Sequence, residues 1–107
     1  MGWLPQIPVR LLPDTMSVRV PDGEGFADAV TISHVRFVRT QAALDDAHRS
    51  ADAGSGRIYI DAVNSPDGFQ VPVGSLVEMD GVTYTVWKSR ACEDFGGRVH
   101  HWEVDFR

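Results

Sequence analysis

Between Thr15 and Val20 apolar and polar residues alternate without exception: Met16, Val18 and Val20 fall on one face, and Thr15, Ser17 and Arg19 on the other. A period of two is the signature of a half-buried strand, and Pro21-Asp22-Gly23 closes it. The next stretch, Phe26 to Arg39, is also extended, but its apolar phase slips. Val30 and Ile32 share one parity, Val35 and Phe37 the other. A bulge or bend at Ser33-His34 reconciles the two halves, as strands curling into a barrel often require. Alternation resumes from Arg57 to Val63, where Ile58, Ile60 and Ala62 oppose Arg57, Tyr59 and Asp61, and Asn64-Ser65-Pro66-Asp67-Gly68 ends the run. Leu76 to Met79 and Val82 to Arg90 flank Asp80-Gly81, a hairpin signal because both turn residues tolerate positive φ. Gly96-Gly97 leads into a last strand, Arg98 to Phe106, with His100, Trp102, Val104 and Phe106 on one face and Val99, His101, Glu103 and Asp105 on the other. Five or six strands, frequent turns and no long helix predict an all-β fold, a small barrel or sandwich.

Two segments fall outside this pattern. Residues 1–14 hold Pro5, Pro8 and Pro13, which deny the segment both helix interior and sheet ladder. They read as an extended N-terminal arm whose Trp3, Leu4, Ile7, Val9, Leu11 and Leu12 need apolar cover from the same domain or from a neighbour. Residues 40–56 carry Leu44 as their one large apolar side chain and read as a long, mobile loop inside a single β-barrel domain spanning 15–107. Asp45, Asp46 and Asp52 outnumber Arg49 in it.

Length and composition narrow the function. A chain of 107 residues supports one core, and 43% hydrophobic with 23% charged residues lies far from the disordered regime. The net charge of −5 disfavours a grip on phosphate backbones. Cys92 is the only cysteine, so neither an internal disulfide nor a multi-thiolate metal site is available. The segment Met1 to Asp14 has no basic leader followed by a long apolar run, and Gln6 stands where a myristoylation signal wants Ser or Thr. Neither export nor membrane anchoring is expected.

No catalytic motif stands out. Gly54-Ser55-Gly56 lacks the lysine of a phosphate-binding loop, and the acidic pairs Asp45-Asp46 and Glu93-Asp94 read as solvated charge. His100-His101 tempts as a metal site, yet adjacent strand residues project to opposite faces. Neither metal nor cofactor is expected, and the chain reads as a non-enzyme. Trp102, Val104 and Phe106 are expected in the core. Trp87 shares its parity with Thr83 and Thr85, and an outward tryptophan in a small acidic domain suggests a protein interface.

The order Ile7-Pro8, Leu11-Leu12 and Asp14-Thr15, then Val30-Thr31-Ile32 with Val35-Arg36, Ile60-Asp61-Ala62-Val63-Asn64-Ser65, Gly74, Val77, Asp80-Gly81, Tyr84 and Val86, and finally His100-His101-Trp102-Glu103-Val104, resembles the small minor capsid proteins of tailed phages. These in turn are similar to head-completion, or stopper, proteins of the head-tail connector. The resemblance spans most of the chain but does not extend over the loop 40–56. It implies a β-barrel subunit of a homo-oligomeric ring, hexameric or dodecameric, in the virion at the head-tail junction. A portal or adaptor protein would lie above the ring, and a tail terminator or tail tube protein below. DNA would pass through without specific binding, and no membrane would be involved. Assembly would take place in the host cytoplasm, and the loop, with Leu44, Asp45, Asp46, Arg49 and Asp52, would face the channel and help retain DNA. The arm residues Trp3, Leu4, Ile7, Leu11 and Leu12, with Trp87, would make subunit contacts. Two other readings are a tail terminator or other connector ring and, from a different class, a free-standing barrel that binds a peptide or nucleic acid.

Overall fold

Alternating apolar side chains need a second apolar layer to cover them, and here the sheet supplies it by closing on itself. A computed structural model describes residues 5–39 and 55–107. Its strands are β1 (Asp14–Arg19), β2 (Pro21–Asp22), β3 (Gly25–Phe26), β4 (Val30–Arg39), β5 (Gly56–Asp61), β6 (Leu76–Met79), β7 (Val82–Glu93) and β8 (Val99–Phe106). Among the described residues six of them form a closed antiparallel barrel in the order β1-β4-β5-β8-β7-β6, with β6 pairing back onto β1. The short β2 and β3 make a separate ribbon around Gly23, which turns at φ +63°.

Barrel closure leaves the interior filled with side chains. Met16, Val18, Ile32, Val35, Ile58, Ile60, Val77, Tyr84, Val86, Val104 and Phe106 all point in and are buried. At one end Phe106 stacks on Phe37 with ring centroids 4.5 Å apart and meets Tyr84 edge-on at 4.6 Å. Val104 and Phe106 occupy the core as the alternation predicts, whereas Trp102 is only partly buried and packs against the core's margin. Asp80-Gly81 forms the expected hairpin turn, both residues at positive φ (53° and 80°).

Three β-bulges among the described residues break the period of two. Opposite Asp14-Thr15 of β1, the β4 partners are Val35 and Ser33. His34 is therefore the extra residue, at φ +58°, where the phase slip predicts it. A second bulge puts Trp87 between Val86, which pairs with Phe106, and Lys88, which pairs with Asp105. A third makes His100 the extra residue, because Cys92 pairs with His101 while Glu93 pairs with Val99. Bulges bend a strand and re-aim its side chains, here those of Trp87 and His100.

Two expectations for the connecting segments need correction. Leu12 does not serve a neighbour: it is fully buried in its own domain. The arm is also interrupted by a single 3-10 turn, Val9–Leu11, after Pro8. Gly56, taken as part of a flexible loop end, is instead the first residue of β5. A Cβ there would overlap the Val38 carbonyl oxygen and sit 2.7 Å from Phe106 Cζ, so glycine is what allows β4 and β8 to approach. Residues 40–54, and with them Leu44, Asp45, Asp46, Arg49 and Asp52, lie outside the described residues, as do Trp3 and Leu4.

Candidate functional site

The arm is fastened by one carboxylate. Asp61, at the end of β5, is fully buried and accepts hydrogen bonds from the Ile7 amide (2.9 Å), the Gln6 side-chain amide (3.0 and 3.1 Å), and the Val63 and Asn64 amides (2.9 and 2.7 Å). The last two bonds are a local Asx-type turn, the natural behaviour of an aspartate at a strand end. Asn64 Nδ2 donates to the Ile7 carbonyl (2.9 Å), and His100 Nε2 lies 2.6 Å from the Pro5 carbonyl. Burial opposes ionisation of Asp61, but the donors from Asn64, Ile7, Gln6 and Val63 outweigh it and hold the carboxyl below its ordinary range.

On the outer face of β5, β7 and β8 lies a second polar constellation. Arg57 forms a forked pair with Asp105 (Nε to Oδ1 2.7 Å) and reaches Glu103 Oε1 at 3.3 Å. Arg90 Nε also donates to Glu103 Oε1 (3.0 Å), and Glu103 Oε2 faces His101 Nε2 at 2.9 Å. Burial works against the Glu103 charge, yet hydrogen bonds from His101 and Arg90 prevail and bring its carboxyl down to about 2. Cys92 shares this face, its thiol pushed up by burial and by Glu103. The expected separation of His100 from His101 is overturned here. The bulge at His100 swings its ring toward its neighbour, and the two Nδ1 atoms are 2.8 Å apart.

The opposite end of β5 and β8 carries exposed apolar surface. Bulged Trp87 is 45% exposed, with the Arg107 guanidinium 5.4 Å from its ring. It borders a shallow cavity of about 280 Å³ that Val38, Arg39, Arg57 and Phe106 also line. Since Gly56 pairs with Phe106 and Asp61 with His101, this end lies five strand residues, about 17 Å, from the arm clasp. At the clasped end the arm displays Val9 and Leu11, both more than 40% exposed, while Ile7 is half-buried. The site residues named from sequence thus separate: Trp87 at one end, Ile7 and Leu11 at the other, Leu12 and Phe106 inside. Sequence reasoning missed Asp61 as the clasp, although Asp61 three residues before Asn64 carried the Asx-turn signal. It also missed the convergence of Cys92, His101 and Glu103, which requires the β7–β8 register.

Over residues 14–106 the chain matches a family model described as Minor capsid protein. The chain belongs to this family. The match takes in every strand of the barrel. As a minor capsid protein it is a structural component of the virion. Among curated proteins and solved structures nothing matches.

Proposed function

We propose that this minor capsid protein is a ring subunit of the head-tail connector, of the stopper or head-completion type, joining portal and adaptor above to tail terminator or tail tube below and helping retain packaged DNA. The observation that carries the reading is the pair of unlike apolar surfaces at opposite ends of β5 and β8, Val9 and Leu11 on the clasped arm and Trp87 with Val38 at the other end. A ring closed by head-to-tail contacts needs two different faces on each subunit. Among the described residues the six barrel strands keep no free edge for pairing, so the barrels would meet through side chains and the arm. The barrel interior is filled, so a DNA channel would be enclosed by the ring and not by any one subunit. The acidic chain, −5 overall, suits a wall that repels phosphate and lets DNA slide.

Native mass spectrometry tests the ring. The isolated chain should be monomeric or weakly associated, and purified connectors should contain a closed ring of six or twelve copies. A stable two-fold dimer in both would overturn the reading. Trp87→Asp should leave the melting temperature of the isolated chain nearly unchanged, because Trp87 lies outside the core, while excluding the subunit from connectors. Tailless heads assembled with this variant should then lose their DNA. If those heads kept DNA normally, retention would belong to another component, and a docking or terminator ring would remain.

A further inference from the structure

We infer that Cys92, His101 and Glu103 form a divalent-cation site suited to zinc, one that pins β7 to β8 on the outer face of the barrel and keeps one coordination position open. One ligand atom from each residue, the Cys92 Sγ, a His101 ring nitrogen and a Glu103 carboxylate oxygen, can be chosen so that all three lie within 4.8 Å of one another. Around a tetrahedral zinc with arms of about 2.0 and 2.3 Å, ligand atoms sit roughly 3.3–3.6 Å apart, so small side-chain rotations complete the set. Thiolate, imidazole and carboxylate together are a donor set zinc accepts readily. Cross-strand pairing explains the convergence. Cys92 is directly opposite His101, and Glu103 is two residues further along β8 on the same face.

The hydrogen-bond pattern supplies an independent argument. The Pro5 carbonyl can only accept, so His100 Nε2, 2.6 Å away, carries the hydrogen. His100 Nδ1 is then a lone pair and takes the hydrogen of His101 Nδ1 across 2.8 Å. With both rings neutral that tautomer, assigned from its partners, leaves a lone pair on His101 Nε2 facing Glu103 Oε2, a second acceptor, at 2.9 Å. The hydrogen bond that favours the Glu103 carboxylate in the metal-free chain therefore needs an added proton on Nε2, whose place a metal ion would take. Two acceptors so placed call for a cation. A ring whose far nitrogen is fixed by a hydrogen bond is also the usual condition of a metal-bound histidine.

The neighbouring charges permit a cation. Both arginines address the other carboxylate oxygen, Oε1, which leaves Oε2 to the metal, and Asp105 offsets Arg57. Arg57, Arg90, Glu103 and Asp105 together sum to zero, and thiolate plus divalent metal adds a single positive charge to a chain of −5. Binding would release the Cys92 proton, so affinity should rise with pH.

The test uses the full chain after treatment with a chelator. Co²⁺ titration should give one equivalent bound, with a thiolate-to-cobalt charge-transfer band, and Zn²⁺ should displace it. Zn²⁺ should also slow Cys92 modification by a disulfide reagent and raise the melting temperature of the wild-type chain, readouts that need no variant. In Cys92→Ser the charge-transfer band should vanish. In His101→Ala affinity should fall by more than about tenfold, and His100→Ala, which removes the positioning bond together with the contact to the Pro5 carbonyl, should weaken binding by about ten- to a hundredfold. Absence of the cobalt band, unchanged thiol reactivity with Zn²⁺, or binding that survives His101→Ala would overturn the site. So would a metal-free His101 ring protonated on both nitrogens by NMR with no response to Zn²⁺, since a proton would then be the cation.

Discussion

Phe106→Ala should lower the free energy of unfolding by about 3–5 kcal/mol, the usual cost of emptying a large buried aromatic. Phe106 is 0% exposed and contacts Phe37 and Tyr84 at centroid distances near 4.5 Å, so its loss removes transfer free energy and also opens a void in a three-ring stack. Trp102→Ala, on the same face of β8 but only partly buried, should cost about 2 kcal/mol, below the range for a sealed core position. Urea melts of the two variants check the ordering. Equal losses would mean that the core extends past Trp102 in solution.

Asp61→Ala should cost about 3 kcal/mol and free the arm, because backbone amides of Ile7, Val63 and Asn64 and the Gln6 side chain lose their acceptor together. Tryptic cleavage at Arg10, slow while the arm is clasped, should become rapid in the variant with the barrel still folded. The pH dependence follows from the same bonds. Asp61 and Glu103 both titrate lower in the fold than as free carboxyls, so the native state binds fewer protons than the unfolded chain in the acid range. Their contribution is therefore fully present above roughly pH 5. It is lost as pH falls through the folded values, for Glu103 down to about 2. Urea midpoints measured from pH 7 to pH 2 should fall most steeply below pH 4, and Asp61→Asn should flatten part of that slope. A profile unchanged by Asp61→Asn would remove the clasp from the account.

Where a strand has one face on the core, the sequence was enough to find it. Met16 and Val18, Ile58 and Ile60, and Val104 and Phe106 are buried as their alternation requires, since a shift of one residue would expose the whole apolar set. The phase slip at Ser33-His34 even located a bulge, because Ile32 and Val35 must both reach the core although three positions apart. Asp80-Gly81 set its hairpin through local backbone preference. The minor capsid family was legible too, in the order of short segments spread across the chain.

Tertiary structure decided what depends on partners distant in sequence. Leu12 looks like any other apolar residue of the arm, and only barrel closure shows that it is covered by its own domain. Asp61 becomes a clasp because the arm returns to it across 54 residues. Gly56 reads as a loop glycine until Val38 and Phe106 close on it. The bulges at Trp87 and His100 depend on the β7–β8 register, a pairing that no local pattern encodes. That register brings His100 against His101, and Cys92 toward Glu103. Alternation is a property of one strand, and a site is a property of the strands beside it.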